Sequence, residues 1–317
     1  MRYKAYGQVA VIIGKICLLV LLMMLVSAQK DTERIDNRHI YNVPADLQTK
    51  DFQTPLDREL TEKINTFAEQ EWLKKIINLY YDEWKGKLTI NVNNVTKVKV
   101  TAHQYAWLHE MVFQASSALG ITPPITYIVR HSIPNAYVTN VKSPILVLHS
   151  AIIKLLNREE LFFVIGHELG HIKSGHVLTH DIVSTALYAL DKVPLVNKLA
   201  PLSWLLWAKE AEISADRVGL LLLQDTKICS SALIKLLSGL TEQEGGQINI
   251  EAFLQQKAEV EADAVVLRRI PVLLAEATST HPFIGTRVRA LAEFKNSPQF
   301  STLMRGLNMI QIQLTLR

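Results

Sequence analysis

Apolar positions along the chain outline its elements. Between Leu56 and Trp84 they fall at Leu60, Ile64, Phe67, Trp72, Ile76, Ile77, Leu79 and Tyr80, close to a helical period, and Gly86 closes the segment. Leu88 to Val100 alternates apolar with polar residues, Val95, Val98 and Val100 among them, and predicts a strand. A second helix follows over about Ala102 to Leu119 and ends at Gly120. Pro123, Pro124, Pro134 and Pro144 then punctuate three short extended segments, Ile125–Val129, Ala136–Val138 and Ile145–His149. Asn157 with Glu160 three residues on is a capping-box pair, so a helix starts there and runs to about Ser174, where Gly175 stops it. From there to the end the pattern is helical, with breaks at Gly245-Gly246, Pro271, Pro282 and Pro298. A small sheet followed by helices predicts a mainly helical α+β fold.

Two stretches bear on membranes. Ile182 to Ala208 is strongly apolar, but Asp191, Lys192, Pro194, Lys198 and Pro201 divide it, which predicts a helical pair that is buried or lies on a membrane surface. At the N-terminus, Arg2, Lys4 and Lys15 precede or border an uncharged run from Ile16 to Gln29, and Val26-Ser27-Ala28 is an acceptable cleavage sequence. Residues 1–28 are therefore expected to be a signal peptide or an N-terminal membrane anchor, and one reading is a cleaved signal. The other reading is an uncleaved anchor from Val9 to Ala28, with Lys15 snorkelling to the headgroups. Both readings place the body on the exported side, periplasmic or membrane-anchored, because Lys30, Asp31, Glu33 and Arg34 cancel after the run.

Bulk composition narrows the function classes. Hydrophobic residues make up 49% and charged residues 20%, a globular balance. The net charge is +4, and three of those charges are Arg2, Lys4 and Lys15, so the body lacks the basic face that nucleic-acid binding requires. Cys17 lies in the apolar run and Cys229 stands alone, which leaves no disulfide framework and makes Cys229 a small buried residue.

The chemistry sits in the capped helix, in His167-Glu168-Leu169-Gly170-His171. Residues four apart on a helix are about 40° apart around its axis with Cβ atoms roughly 6 Å apart, so both imidazoles share a face and can ligate one zinc ion. Glu168 lies between them, placed to work on a water at the metal. A third ligand has to come from elsewhere. Ser174 and Val177 stand where the extended motif needs a glycine and a third histidine, so that version is excluded. Glu212 and Asp216 instead share a face of a later helix at i, i+4, Glu212 as ligand and Asp216 as acceptor for the ring N–H of a ligating histidine. Read as ordinary surface acids they fit poorly, since they repel one another and lead into the apolar Val218-Gly219-Leu220-Leu221-Leu222-Leu223. His176 and His180 repeat the four-residue spacing without a carboxylate or cysteine to complete a second site.

With these pieces in order, Glu159 through His171, Glu212-Ile213-Ser214-Ala215-Asp216-Arg217, and Thr280-His281-Pro282 followed by Arg287, the chain resembles the HtpX and CAAX-prenyl-protease family of zinc metalloendopeptidases, in its exported or membrane-linked bacterial branch. The resemblance covers about residue 100 to the end. It implies a zincin-like metallopeptidase domain at 100–317, after a helical extension at 29–99, with one zinc ion on His167, His171 and Glu212 and Glu168 as general base. Proteolysis of membrane-associated or misfolded proteins is implied, with protein or peptide substrates, no nucleic acid, and membrane association through the N-terminus. His281 and Arg287 become the candidate catalytic donors to the oxyanion, and His281 is alternatively a resting-state ligand that keeps the enzyme latent. Substrate is expected along the sheet edge near Asn135-Ala136-Tyr137. The competing readings are a catalytically silent chaperone or scaffold and a zinc hydrolase acting on another bond.

Overall fold

The computed structural model describes residues 37–71, 75, 87–140, 142–190, 196–245, 248–262, 281–305 and 309–316. Residues 1–28, and with them the signal or anchor reading, lie outside the described residues, as do 72–74 and 76–84 of the first expected helix. The chain divides into two compact units, and the larger, Ile40–Leu314, carries all of the chemistry considered below.

In chain order the elements are β1 (Asn37–Pro44), a 3-10 turn at Thr49–Asp51, α1 (Pro55–Ala68), α2 (Lys87–Thr96), β2 (Val98–Lys99), α3 (Ala106–Ala118), β3 (Ile125–Val129), β4 (Ala136–Thr139), β5 (Ile145–His149) and α4 (Ser150–Leu155). Then follow α5 (Arg158–Lys173), α6 (His176–Leu190), α7 (Val196–Leu223), α8 (Thr226–Ser238), α9 (Glu242–Gly245), α10 (Ile250–Ala262), α11 (Ile284–Lys295), α12 (Pro298–Met304) and β6 (Met309–Leu316). The fold is mainly helical with a small mixed sheet, as the pattern predicts.

Four strands form that sheet in the order β2-β3-β5-β4. β3 and β5 run parallel, with Ile125 opposite Ile145 and Val129 opposite His149, and β4 runs antiparallel to β5 with Tyr137 opposite Val147. β5 is central, and Ile145, Leu146, Val147 and Leu148 are all buried, the continuous apolar run expected of a covered strand. β4 is an edge.

The capped helix forms as its sequence specifies. Asn157 Oδ1 accepts from the Glu160 backbone N–H and Glu160 returns the bond to the Asn157 N–H, both at 2.9 Å. The same Glu160 is buried with Lys235 of α8 at 2.7 Å and accepts from Ser231, which ties the start of α5 to α8. Gly175 ends the turn after α5 at φ 75°, a left-handed conformation that favours glycine. α5 and α7 pack along small residues: a Cβ at Gly166 would lie 3.0 Å from Gly219 Cα, and one at Gly170 would lie 3.1 Å from Ala215 Cα. That close approach brings the backbones bearing the two halves of the chemistry together.

Four expectations need correction. Residues 87–96, read within a strand, are α2, because Leu88, Val92 and Val95 also fall at i, i+4 and i+7. The stripe faces outward, with Val95 84% exposed, while Ile90 packs on Tyr127, Ile145 and Val147 and Asn94 accepts from the Tyr127 hydroxyl at 2.7 Å. The extension is not purely helical, since its described residues include β1, and the C-terminal part is not wholly helical, since β6 pairs with β1. The strict alternation of Ile310, Ile312, Leu314 and Leu316 is the signal for that strand. α3 starts at Ala106 rather than Ala102, because Tyr105 takes φ 57° and Thr101 and Gln104 bridge to each other first. α6 and α7 are the expected helical pair, and among the described residues no helix is long and apolar enough to cross a membrane.

Candidate metal centre

α5 carries His167 and His171 one turn apart, with their Nε2 atoms 3.1 Å from each other. Glu212, on α7, brings Oε1 to 3.3 Å from His171 Nε2 and Oε2 to 3.6 Å from His167 Nε2. For zinc bonds of about 2.0–2.2 Å in tetrahedral geometry, neighbouring donor atoms stand roughly 3.3–3.5 Å apart. The triangle has that size, its chemistry is two imidazoles and a carboxylate, and the three residues fit a metal ion. Among the described residues it is the one group of three or more such side chains that can hold one.

The field of the site favours a ligand carboxylate. Burial works to raise the Glu212 pKa, yet His167, His171, His281 and Arg287 together hold it well below the ordinary range. Burial likewise opposes His171, but the hydrogen bond and charge of Glu212 outweigh it and its pKa is raised. Glu168 is buried between these groups, and desolvation raises its pKa, which makes the carboxylate a better proton acceptor.

Asp216, one turn beyond Glu212, accepts from His167 Nδ1 at 2.9 Å. Arg287 of α11 forks onto the same carboxylate, Nε to Oδ2 at 2.7 Å and Nη2 to Oδ1 at 2.6 Å, and its Nη1 lies 3.4 Å from Glu212. Burial opposes ionisation of Asp216, and Arg287 overcomes it and lowers the pKa. Arg287 therefore reaches the centre with two of its nitrogens already committed to Asp216. His281, just before α11, sits with Nδ1 3.1 Å from Glu212 Oε2 and its side chain 64% exposed.

A cleft of about 770 Å³ opens over the triangle, bounded by Asn135, Tyr137, Glu168, Trp204, Trp207 and His281 among others. Edge strand β4 thus forms one wall and a stacked pair of indoles, Trp204 and Trp207 with centroids 4.6 Å apart, stands on another side. Cys229 is buried and its thiol pKa is pushed well up by burial, which removes it as a nucleophile.

His176 and His180 do not come together as a second site. His180 faces Trp204 at 5.2 Å, whereas His176 is buried, with Nδ1 2.9 Å from His171 Nδ1 and Nε2 2.9 and 3.1 Å from the two Asp57 oxygens. Asp57 and the tryptophan wall are the residues that sequence reasoning missed. Asp57 carries no local motif, and the tryptophans read simply as apolar helix.

A histidine pair one turn apart on one helix, a glutamate from a second helix and a buried acid between the histidines define a metallopeptidase-type centre. The chain belongs to peptidase family M48, whose family model matches residues 102–295. It is similar to "Plastoglobule-localized metallopeptidase 48, chloroplastic" of Arabidopsis thaliana, 28% identical over 274 residues, 83% of this chain and 77% of that protein. It is also similar to a "Protease HtpX homolog" of Methanocaldococcus jannaschii, 39% identical over 90 residues, 28% of this chain and 32% of that one. The crystal structure of S. mikatae Ste24p aligns with 74% of this chain and 61% of its own at a TM-score of 0.46 and 13% identity, a likeness too loose to carry an inference.

Proposed function

We propose that the protein is a zinc-dependent endopeptidase that cleaves extended segments of membrane-associated or misfolded proteins. The observation that carries this reading is the donor triangle of His167, His171 and Glu212, with edges of 3.1, 3.3 and 3.6 Å. Bound there, zinc supplies Lewis acidity, lowering the pKa of a water to about 7 and polarising a carbonyl. Glu168, beside the ligands and raised in pKa by burial, takes the proton of the attacking water and passes it to the leaving amine. Asp216 keeps His167 oriented, and Arg287 keeps Asp216 ionised. This makes Arg287 a positioning residue and leaves His281, at the exposed mouth, to act on the oxyanion or to close the resting site.

β4, an edge strand among the described residues, offers the substrate a strand to pair with, so backbone pairing along Asn135–Tyr137 supplies affinity with little sequence preference. A silent scaffold would need no Glu168, and the acid stands beside the ligands. Purified protein is expected to contain one zinc per chain and to cleave casein, with a chelator abolishing cleavage and added zinc restoring it. Zinc-free protein with undiminished cleavage would end this reading. We also propose that the body is exported, from the basic start and the uncharged run after it. A reporter active only outside the cytoplasm, fused after residue 40, should be active, and a silent fusion refutes export.

A further inference from the structure

The two histidines of the triangle are held in unlike ways. His167 donates from Nδ1 directly to a carboxylate, Asp216, which the same helix as Glu212 supplies. His171 has its Nδ1 against another imidazole nitrogen, His176 Nδ1, at 2.9 Å. Such a contact is favourable only when one nitrogen carries a proton and the other does not.

Asp57 decides which. It is fully buried at the start of α1, its Oδ1 accepts from the Thr61 hydroxyl at 2.9 Å, and both its oxygens lie within 3.1 Å of His176 Nε2. A carboxylate only accepts, so His176 donates from Nε2, and a neutral ring then presents a bare Nδ1. That bare nitrogen accepts from His171 Nδ1–H, which is the tautomer that presents Nε2 to a metal held between His167 and Glu212, the metal taking the place of any proton shared there. The opposite arrangement would put a proton on Nε2, where the metal has to bind.

We infer that His176 and Asp57 are positioning residues for the metal, a two-member relay that fixes His171 in its ligating tautomer. This inference rests on the zinc-peptidase reading. It makes a segment outside the matched residues 102–295 part of the metal centre. That segment is pinned to the helices around the site: the Thr54 N–H donates to Ser214 Oγ at 3.0 Å, Arg217 donates to the Phe52 carbonyl at 3.1 Å, and Trp207 donates to Thr61 at 3.0 Å. Trp207 also stands edge-on to the His176 ring at 5.6 Å, which limits its rotation.

The test measures zinc affinity of the full-length protein by competition with a chromophoric chelator, together with the ring 15N shifts of His171 and His176. Asp57→Ala and His176→Phe should bind zinc ten- to a hundredfold more weakly, the range for outer partners of metal ligands. His176→Gln, which can still accept and donate across the gap, should recover part of that loss. Asn65→Ala, which removes another tie of α1, the contact from Thr179, should bind zinc like the wild type. In the zinc-loaded wild type, His171 should carry its proton on Nδ1 and His176 on Nε2. Wild-type affinity in Asp57→Ala, or a His176 protonated on Nδ1 in the zinc-loaded wild type, overturns the relay, and the second readout decides even if the variants do not fold. Glu212→Gln separates the two readings: a wild type that binds no zinc sinks the peptidase proposal itself, whereas zinc lost in Glu212→Gln and kept in Asp57→Ala sinks only the relay.

Discussion

Replacing Gly219 by alanine tests whether the spacing of α5 and α7 sets the metal site. A Cβ there would lie 2.6 and 2.8 Å from ring carbons of Phe163 and 2.8 Å from its carbonyl oxygen, against 3.4–4 Å for ordinary contacts. The ring can turn, but the carbonyl cannot move alone, because in an α-helix it accepts from the N–H four residues on, that of His167. The helices therefore have to part by about 0.6–0.8 Å. Overpacking of this kind costs about 1–3 kcal/mol. The better helix propensity of alanine offsets about 1 kcal/mol of it, and the backbone clash puts the cost toward the upper end, so a net loss of about 1–2 kcal/mol is expected. For a unit of this size that corresponds to a fall in Tm of roughly 2–8 °C. Zinc sites tolerate about 0.2 Å in ligand distance, so moving Glu212 relative to the histidine pair should weaken zinc binding as well.

The control is Gly285→Ala on α11, whose new Cβ would meet only the flexible Lys257 chain, at 3.2 Å from Cδ, and which should keep most of its propensity gain. Thermal unfolding of metal-free protein and chelator competition measure the two effects separately. Wild-type stability and wild-type zinc affinity in Gly219→Ala would refute the idea that helix spacing sets the triangle.

Glu168→Gln should keep zinc and lose about 10²- to 10⁴-fold in kcat with little change in KM, and near-normal turnover would remove Glu168 from the mechanism. Because burial raises the Glu168 pKa above 4.5, its ionised form costs folding stability above that pH, so metal-free Glu168→Gln should unfold at a higher temperature than the wild type at pH 7, with the gain vanishing below about pH 4.5. Glu212→Gln should instead lose zinc, measured by metal analysis, since it removes the charged member of the triangle. His281→Ala, with zinc content unchanged, should raise basal casein cleavage if the ring closes the resting site and lower kcat if it stabilises the oxyanion. We expect the rise, and no change at all returns His281 to a structural role.

What the sequence makes readable is chemistry with a local address. The Asn157–Glu160 capping pair fixes where α5 begins, and so which way His167 and His171 face, because every element of that inference lies within fifteen residues. α2 is misread because its apolar stripe faces solvent while Ile90 and Asn94 make the inward contacts, so the pattern carries the wrong face. β6 is misread for another reason: its alternation is clear, but a strand needs a partner, and β1 lies at the far end of the chain.

The metal centre divides along the same line. Once Glu212 is accepted as a ligand, Asp216 follows, since a residue one turn on along α7 reaches the ring beside it, His167. His171 Nδ1 faces the other way, toward α6 and α1, where no residue of α7 can follow. Its partner has to come from another part of the chain, and spacing cannot pick one carboxylate out of 30 acidic residues. Asp57 meets His176 across 119 positions of sequence, so only the folded chain identifies it. A domain cut at residue 100 would therefore keep all three metal ligands and still lose the carboxylate that aims one of them.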